Sequence, residues 1–258
     1  MDMKMFVTER RNKIMQLLHD KQRLTVKDLA SKIGVSEATL RSDLNKMESD
    51  GLLVRTHGGA VLNDYGDNET SFSAREQKNR NEKMKIAEKA VELISDKQCI
   101  LLDASSTALE IARYLKKKPL RVTVVTSGIY TALELADTPE ITVILVGGMI
   151  TNGSSSVEGT LGLDILDQVN IDIMFTSANG FSFESGLTDF NLYEVELKKE
   201  MVKRAGKVVA LIDTSKIEKN SSAFFAKLSA IDIFITDSAP STDLKEEFKK
   251  HNIKVMTF

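Results

Sequence analysis

Apolar residues follow two regimes along the 258-residue chain. Near the N-terminus they recur singly at helical spacing. Ile14, Leu17 and Leu18 make one short stripe, and Val26, Leu29, Ala30 and Ile33 make a second at i, i+3, i+4 and i+7. Thr25 and Asp28 form a capping box before the second stripe, and Gly34 ends it. Ser36 caps a third helix running to about Asp50, whose stripe is Leu40, Leu44 and Met47. Beyond Gly51, the runs Leu52–Arg55 and Ala60–Leu62 predict a small hairpin around Gly58 and Gly59.

Residues 63–82 are polar and read as a linker. From Met84 the second regime begins, in which short uninterrupted apolar runs alternate with helices. The runs predict strands at Cys99–Asp103, Val122–Thr126, Ile141–Val146, Ile173–Ala178, Val208–Asp213, Ile231–Thr236 and Ile253–Met256. Helices are predicted at Thr107–Lys118, Ile129–Asp137, Leu192–Ala205 and Thr242–His251. Apolar strands alternating with helices specify a mostly parallel sheet covered on both faces. The fold class is α/β: a helix-turn-helix head with a hairpin wing over 1–62, the linker, and a mostly parallel α/β body over 83–258.

Composition narrows the function classes. A hydrophobic fraction of 42% and a charged fraction of 28% are ordinary for a globular chain. No apolar run approaches the ~18–20 residues that span a bilayer, and the charged N-terminus lacks a secretory segment. One cysteine, Cys99, and three histidines make neither a disulfide framework nor a clustered zinc site. The expectation is a cytoplasmic protein with no metal, no cofactor and no membrane partner. The net charge of -2 conceals a mildly basic head on an acidic body, as suits a small nucleic-acid module attached to something else.

The third helix carries the chemistry of the head. Opposite its apolar stripe stand Ala38, Arg41, Ser42, Asn45 and Lys46, with Ser36 and Thr39 at the helix start. Small residues let the backbone approach base edges, Arg pairs bidentately with guanine and Asn with adenine. Arg55, Thr56 and His57 of the hairpin are placed as a wing against the DNA backbone or minor groove. The competing reading is a three-helix unit whose polar face is merely solvated.

In the body the informative places are the carboxyl ends of the strands, where open parallel sheets hold their ligands. Asp103, Ala104, Ser105, Ser106 and Thr107 run from the first strand into a helix, and Thr126 and Ser127 follow the second. Hydroxyls and backbone N–H groups at helix starts make anion seats. Gly147 and Gly148 follow the third strand, Asn179 and Gly180 the fourth, and Lys216 closes Asp213-Thr214-Ser215-Lys216 after the fifth. Each alone reads as a cap, a turn or a solvated lysine; their repetition at successive strand ends points to a pocket for a small anion. A nucleotide is disfavoured, because Ser154 stands where the phosphate-binding lysine of a Walker loop belongs and no GxGxxG occurs.

The stretch Val35-Ser36-Glu37-Ala38-Thr39-Leu40-Arg41-Ser42-Asp43-Leu44, followed by Gly51 and Arg55-Thr56-His57-Gly58-Gly59-Ala60, resembles the DeoR family of bacterial sugar-metabolism regulators. The resemblance runs from Glu9 to about Asp237. It implies a winged helix-turn-helix and an effector domain similar in fold to ribose-5-phosphate isomerase, with Asp103, Ser105, Ser106, Thr107, Gly147, Gly148 and Lys216 at family pocket positions. Ser42 departs from the family's second arginine, Ser105 from its glycine, and Thr151 and Asn152 from a basic residue after the glycine pair.

Two functions fit these features. One is a regulator, most simply a repressor of carbohydrate-metabolism genes, that binds operator DNA as a homodimer or homotetramer under control of a phosphorylated sugar. The other is a sugar-phosphate isomerase-like enzyme with an accessory DNA-binding domain, using Asp103, Lys216, Asp213 or Glu194 in proton transfer. A regulator needs both halves of the chain; an enzyme has no need of the head.

Overall fold

The computed structural model describes residues 7–21, 23–49, 53–56, 58–61, 72–151 and 154–258. The chain divides into two compact units, Met1–Lys78 and Asn79–Phe258.

In the first unit, helices α1 (Val7–Lys21), α2 (Val26–Ile33) and α3 (Glu37–Ser49) accompany strands β1 (Arg23–Thr25), β2 (Val54–Thr56) and β3 (Gly59–Val61). The predicted capping box forms: the Asp28 amide donates to Thr25 Oγ1 at 3.1 Å, and that hydroxyl donates to Asp28 Oδ2 at 2.7 Å. Gly34 closes α2 in the left-handed region. All three stripes face one core, in which Ile14, Leu18, Leu29, Leu40, Leu44 and Met47 are wholly buried. The hairpin forms as β2 and β3, paired through Arg55 and Ala60. A third strand, β1, adds to β3 through Leu24 and Ala60, so the wing sheet runs β1-β3-β2. Leu52, Leu62 and Asp50 lie outside the described residues.

Two features differ from the reading of residues 63–82 as linker. A short helix, α4 (Phe72–Gln77), occupies part of it, with Phe72 buried. Helix α5 (Arg80–Val91) then starts before Met84 and buries Ile86, Ala87, Ala90 and Val91. Residues 62–71 lie outside the described set.

The second unit continues through β4 (Cys99–Leu102), α6 (Ser106–Leu115), β5 (Val122–Thr126), α7 (Ile129–Leu135), β6 (Ile141–Leu145), β7 (Ile173–Thr176), β8 (Gly180–Ser182), β9 (Gly186–Asp189), α8 (Leu192–Arg204), β10 (Val208–Leu211), β11 (Ala223–Ala226), β12 (Ile233–Thr236), α9 (Thr242–Lys250) and β13 (Lys254–Thr257). Among the described residues a seven-stranded parallel sheet runs β13-β12-β10-β7-β4-β5-β6, and a three-stranded antiparallel sheet runs β11-β9-β8. Successive strand residues point to opposite faces. Leu102 and Phe175 join the core with Ile86 and Ile111, whereas their neighbours Leu101 and Met174 pack with Leu197 and Met201. Burial of both faces is why these strands read as continuous apolar runs. Among the described residues no helix is long and apolar enough to cross a membrane.

Candidate functional site

In the first unit, Ser36 precedes α3 and accepts from the Thr39 amide at 3.2 Å, with the two hydroxyls 2.9 Å apart. Both polar residues are therefore spent partly on starting the helix. Ala38, Thr39, Arg41, Ser42, Asn45 and Lys46 are exposed, opposite the buried Leu40, Leu44 and Met47. Arg41 donates to Glu37 Oε2 at 3.1 Å, and both side chains are about half exposed. Such a pair contributes only ~0.3–0.5 kcal/mol, so a base or phosphate can displace it. Arg55 holds the wing to the helix: its amide donates to Glu48 Oε1 at 2.8 Å and its Nη1 donates to Asn45 Oδ1. Thr56 is paired opposite Gly59 in the hairpin, and His57 lies outside the described residues.

Asp43 is the head residue that sequence reasoning passed over. It is buried on α3, and its carboxylate accepts from Arg10 Nε at 2.5 Å and Arg11 Nε at 3.3 Å. The pairing ties α1 to the reading helix. A carboxylate on the apolar stripe, between Leu40, Leu44 and Met47, is the signal that betrays it.

In the second unit the sheet order sets β10, β7, β4, β5 and β6 side by side. The predicted segments after β10, β4, β5 and β6 therefore share one rim, with Ser177 supplying the position after β7. Asp103 is wholly buried below that rim and fully engaged. Its Oδ1 accepts from the Ser105 amide at 3.0 Å; its Oδ2 accepts from Thr176 Oγ1 at 2.7 Å and the Ser177 amide at 3.0 Å. Lys198 Nζ stands 3.2 Å from the same oxygen and donates to Asp189 Oδ2 at 2.9 Å and the Ser177 carbonyl at 3.0 Å. Burial works against the Lys198 charge, but Asp189 and Asp103 outweigh it and raise its pKa above the ordinary lysine value. Asp103 thus braces the strand ends.

Ser105 caps α6, accepting from the Ala108 amide at 3.1 Å, and Ser106 and Thr107 are buried in its first turn. Thr126 and Ser127 are buried as well. Thr126 Oγ1 accepts from the Gly128 amide at 3.0 Å, and the Ile129 amide donates to the Ser155 carbonyl at 3.1 Å. Two amides at the start of α7 are therefore taken within the fold, which weakens this helix start as an anion seat. Gly147 and Gly148 are exposed beyond β6. At Gly148, φ is +152° and a β-carbon would stand 2.6 Å from the Glu158 carbonyl oxygen, so only glycine fits. Asn179 is exposed just before β8, which Gly180 opens in the antiparallel sheet, and Asn179 Nδ2 lies 3.5 Å from Ser221 Oγ.

Lys216 gathers the strongest polar cluster. Its Nζ donates to Ser177 Oγ at 3.2 Å and lies 3.7 Å from Asp213 Oδ2. Asp213 is buried; its Oδ1 accepts from Ser215 Oγ and from Asn79 Nδ2 at 3.1 Å. Burial raises the Asp213 pKa, but Lys216, the Ser215 and Asn79 bonds and the nearby Lys83 together hold it below the ordinary carboxylate value. Asp213 Oδ2 accepts no hydrogen bond although it is sealed from solvent. A buried acceptor without a donor is rare and calls for one. Asp213 entered the sequence reading only as a proton-transfer candidate, and Ser177 was missed because its partners Asp103 and Lys216 lie 74 and 39 residues away.

Residues 10–65 match the DeoR-like helix-turn-helix domain and residues 78–238 the DeoR C terminal sensor domain. The HTH-type transcriptional regulator GolR of Listeria innocua is 43% identical over 97% of this chain and 98% of its own length. The HTH-type transcriptional repressor GlcR of Bacillus subtilis is 30% identical over 98% and 96%. A solved ribose 5-phosphate isomerase from Methanocaldococcus jannaschii shares 23% identity over 54% of this chain and 55% of its own, with a TM-score of 0.42. With both domain matches in chain order and full-length relatives that are regulators, the chain belongs to the DeoR family of DNA-binding transcriptional regulators.

Proposed function

We propose that this chain represses carbohydrate-metabolism genes and that a phosphorylated sugar, held at the strand-end rim, controls its operator binding. The carrying observation is the pairing of Lys216 with Asp213 Oδ2, a cation beside a buried, unfilled acceptor. An anionic group adds a charge-assisted partner to the Lys216 ammonium. Charge-assisted hydrogen bonds are roughly twice as strong as neutral ones, so the phosphate contributes more than any one hydroxyl. Gly147 and Gly148 let backbone approach the ligand from the far side of the rim. The relatives named as repressors outnumber the one named as an activator, which favours repression.

At the operator, Arg41 and Ser42 meet base edges and Lys46 a phosphate, with Arg55 and Thr56 as wing contacts. Asn45 has its Oδ1 occupied by Arg55, which leaves the amide nitrogen to donate. It then reads a purine N7 rather than adenine bidentately. One such helix covers few base pairs, so the operator is read by two or more copies.

The isomerase reading loses its strongest base. Asp103 is wholly buried, accepts from three donors and faces Lys198, so its carboxylate is committed to the fold rather than exposed to a substrate carbon. A thermal-shift screen of the full chain against pentose and hexose phosphates tests the proposal. A ligand that binds the native state raises Tm by mass action, and at 100 Kd by about 2.7 kcal/mol of stability. Turnover of ribose 5-phosphate would favour the enzyme, and no shift with any sugar phosphate would contradict the proposed effector.

A further inference from the structure

Between Leu145 and Leu163 the sequence carries one ionisable side chain, Glu158, in a chain that is 28% charged. Glu158 is wholly buried. Its Oε1 accepts from Asn191 Nδ2 at 2.9 Å and from the Ser154 and Ser156 hydroxyls, and its Oε2 accepts from Thr151 Oγ1 at 3.1 Å. The outer surface of this segment is therefore uncharged. It is also apolar: Leu161 is 77% exposed, Ile150 63%, Leu145 44% and Met149 41%.

These side chains share one surface with the start of α8. Met149 and Glu158 pair as an antiparallel bridge, and the Gly159 amide donates to the Tyr193 carbonyl at 3.3 Å. A β-carbon at Gly162 would stand 2.1 Å from the Gly147 carbonyl oxygen, which sets Leu161 beside the end of β6. Leu192 and Tyr193, 61% and 55% exposed, extend the patch. Elsewhere, exposed Phe224 and Phe258 each lie against a lysine ammonium.

At roughly 150–200 Å² per large side chain, these six residues present on the order of 600 Å². One partner of a standard interface contributes ~800 Å², about 60% of it apolar. The patch has the size for a stable contact. A two-fold contact sets the same surface against itself, so any net charge on it would meet its like. The segment from Leu145 to Leu163 exposes no charge, and Glu196 beyond Tyr193 is paired with Lys199 at 2.9 Å, so this surface avoids most of that repulsion.

We infer that the surface around Leu161 and Ile150 is where two copies of this chain meet. The choice of a second copy as occupant rests on the proposed operator reading, which requires paired heads. The segment also carries Gly147 and Gly148, so the strand-end rim and the contact between copies share one loop.

Sedimentation velocity of the full chain at low micromolar concentration, without DNA or sugar, tests the surface separately from function. Wild type is expected as a dimer or a larger even assembly of the 28.6 kDa chain. The double variant I150E/L161E should raise the dissociation constant roughly 100-fold or more, because each copy would bury carboxylates without partners. A dimer should fall to monomer, or a tetramer to dimer. F258E, which charges an equally exposed position beyond β13 at the opposite edge of the sheet, should keep the wild-type mass. L161R gives a second, independent variant should the double one lose its circular dichroism. Wild-type mass retained in both patch variants, or a wild-type monomer across the range, overturns the inference. Operator binding by wild type, measured separately, tells failure of this surface from failure of the regulatory reading.

Discussion

Single side chains divide the work of the head between reading and holding. Arg41→Ala should cost ~1–3 kcal/mol on a specific operator and relax preference at one position per half-site. Lys46→Ala should weaken all DNA alike and flatten the salt slope by about one unit. Equal losses from both variants on specific and random duplexes, measured by fluorescence anisotropy, would show the reading face to be misassigned. Glu37→Gln removes the carboxylate that holds Arg41. It should tighten binding to random DNA, since one negative charge leaves the interface; an unchanged affinity at low salt would deny that Arg41 faces DNA. In the body, Lys216→Met should abolish the response to a sugar phosphate and leave ligand-free operator binding nearly intact. Asp213 also fixes a pH dependence. Its depressed pKa means the carboxylate is already ionised above 3.8, and its contribution is lost only as pH falls below that. Ligand affinity should therefore be flat in Asp213 from pH 8 to 5. Any fall there should track the ligand phosphate, whose second pKa is about 6, and a calorimetric pH series separates the two.

At the scale of elements, buried ion clusters decide how the pieces are held. Lys198 on α8 joins the Asp103 segment after β4 to Asp189 at the end of β9. Lys198→Met leaves two buried carboxylates without their cation and should cost about 3–5 kcal/mol. For a body of this size that is a fall of roughly 6–20 °C in Tm; a fall below 2 °C by calorimetry would mean the cluster is dispensable. The sheet itself was legible because each central strand is apolar on both faces. All seven predicted strands form; β5 has the predicted ends and the others differ by one or two residues, mostly where strand gives way to rim. Strands β1, β8, β9 and β11 were not legible: three or four residues are too few for alternation to register. Helix α4 escaped because Phe72 is the lone large apolar residue of its six. The rim was legible as a row of hydroxyls and glycines, but the roles within it were not. That Asp103 braces the strand ends was not legible, because its three donors come from Ser105, Thr176 and Ser177. Lys198 stands on the stripe of Val195, Leu197 and Met201, and a charge at such a place is the sign that a partner waits across the fold.

For the molecule as a whole, the two units have separate cores and separable tasks. Residues 1–62 expressed alone should fold, since the head core is complete within them, yet bind an operator weakly because one head reads few base pairs. Tight cooperative binding by this fragment in a gel shift would place association in the head. Control then depends on a ligand that binds one arrangement of the chain better than another. A nearly complete switch of occupancy needs a difference of up to ~5.5 kcal/mol, and a partial one proportionately less. On the proposed reading that energy comes chiefly from Lys216, whose charge a phosphate meets and a free sugar does not. Titration calorimetry of the full chain with the sugar phosphate that raises Tm most, against the same sugar without its phosphate, is therefore the most direct test. The ester should bind and the free sugar should bind at least ~100-fold more weakly, as loss of a charge-assisted contact requires. Equal affinity for the two would contradict a phosphate-reading site at the strand ends.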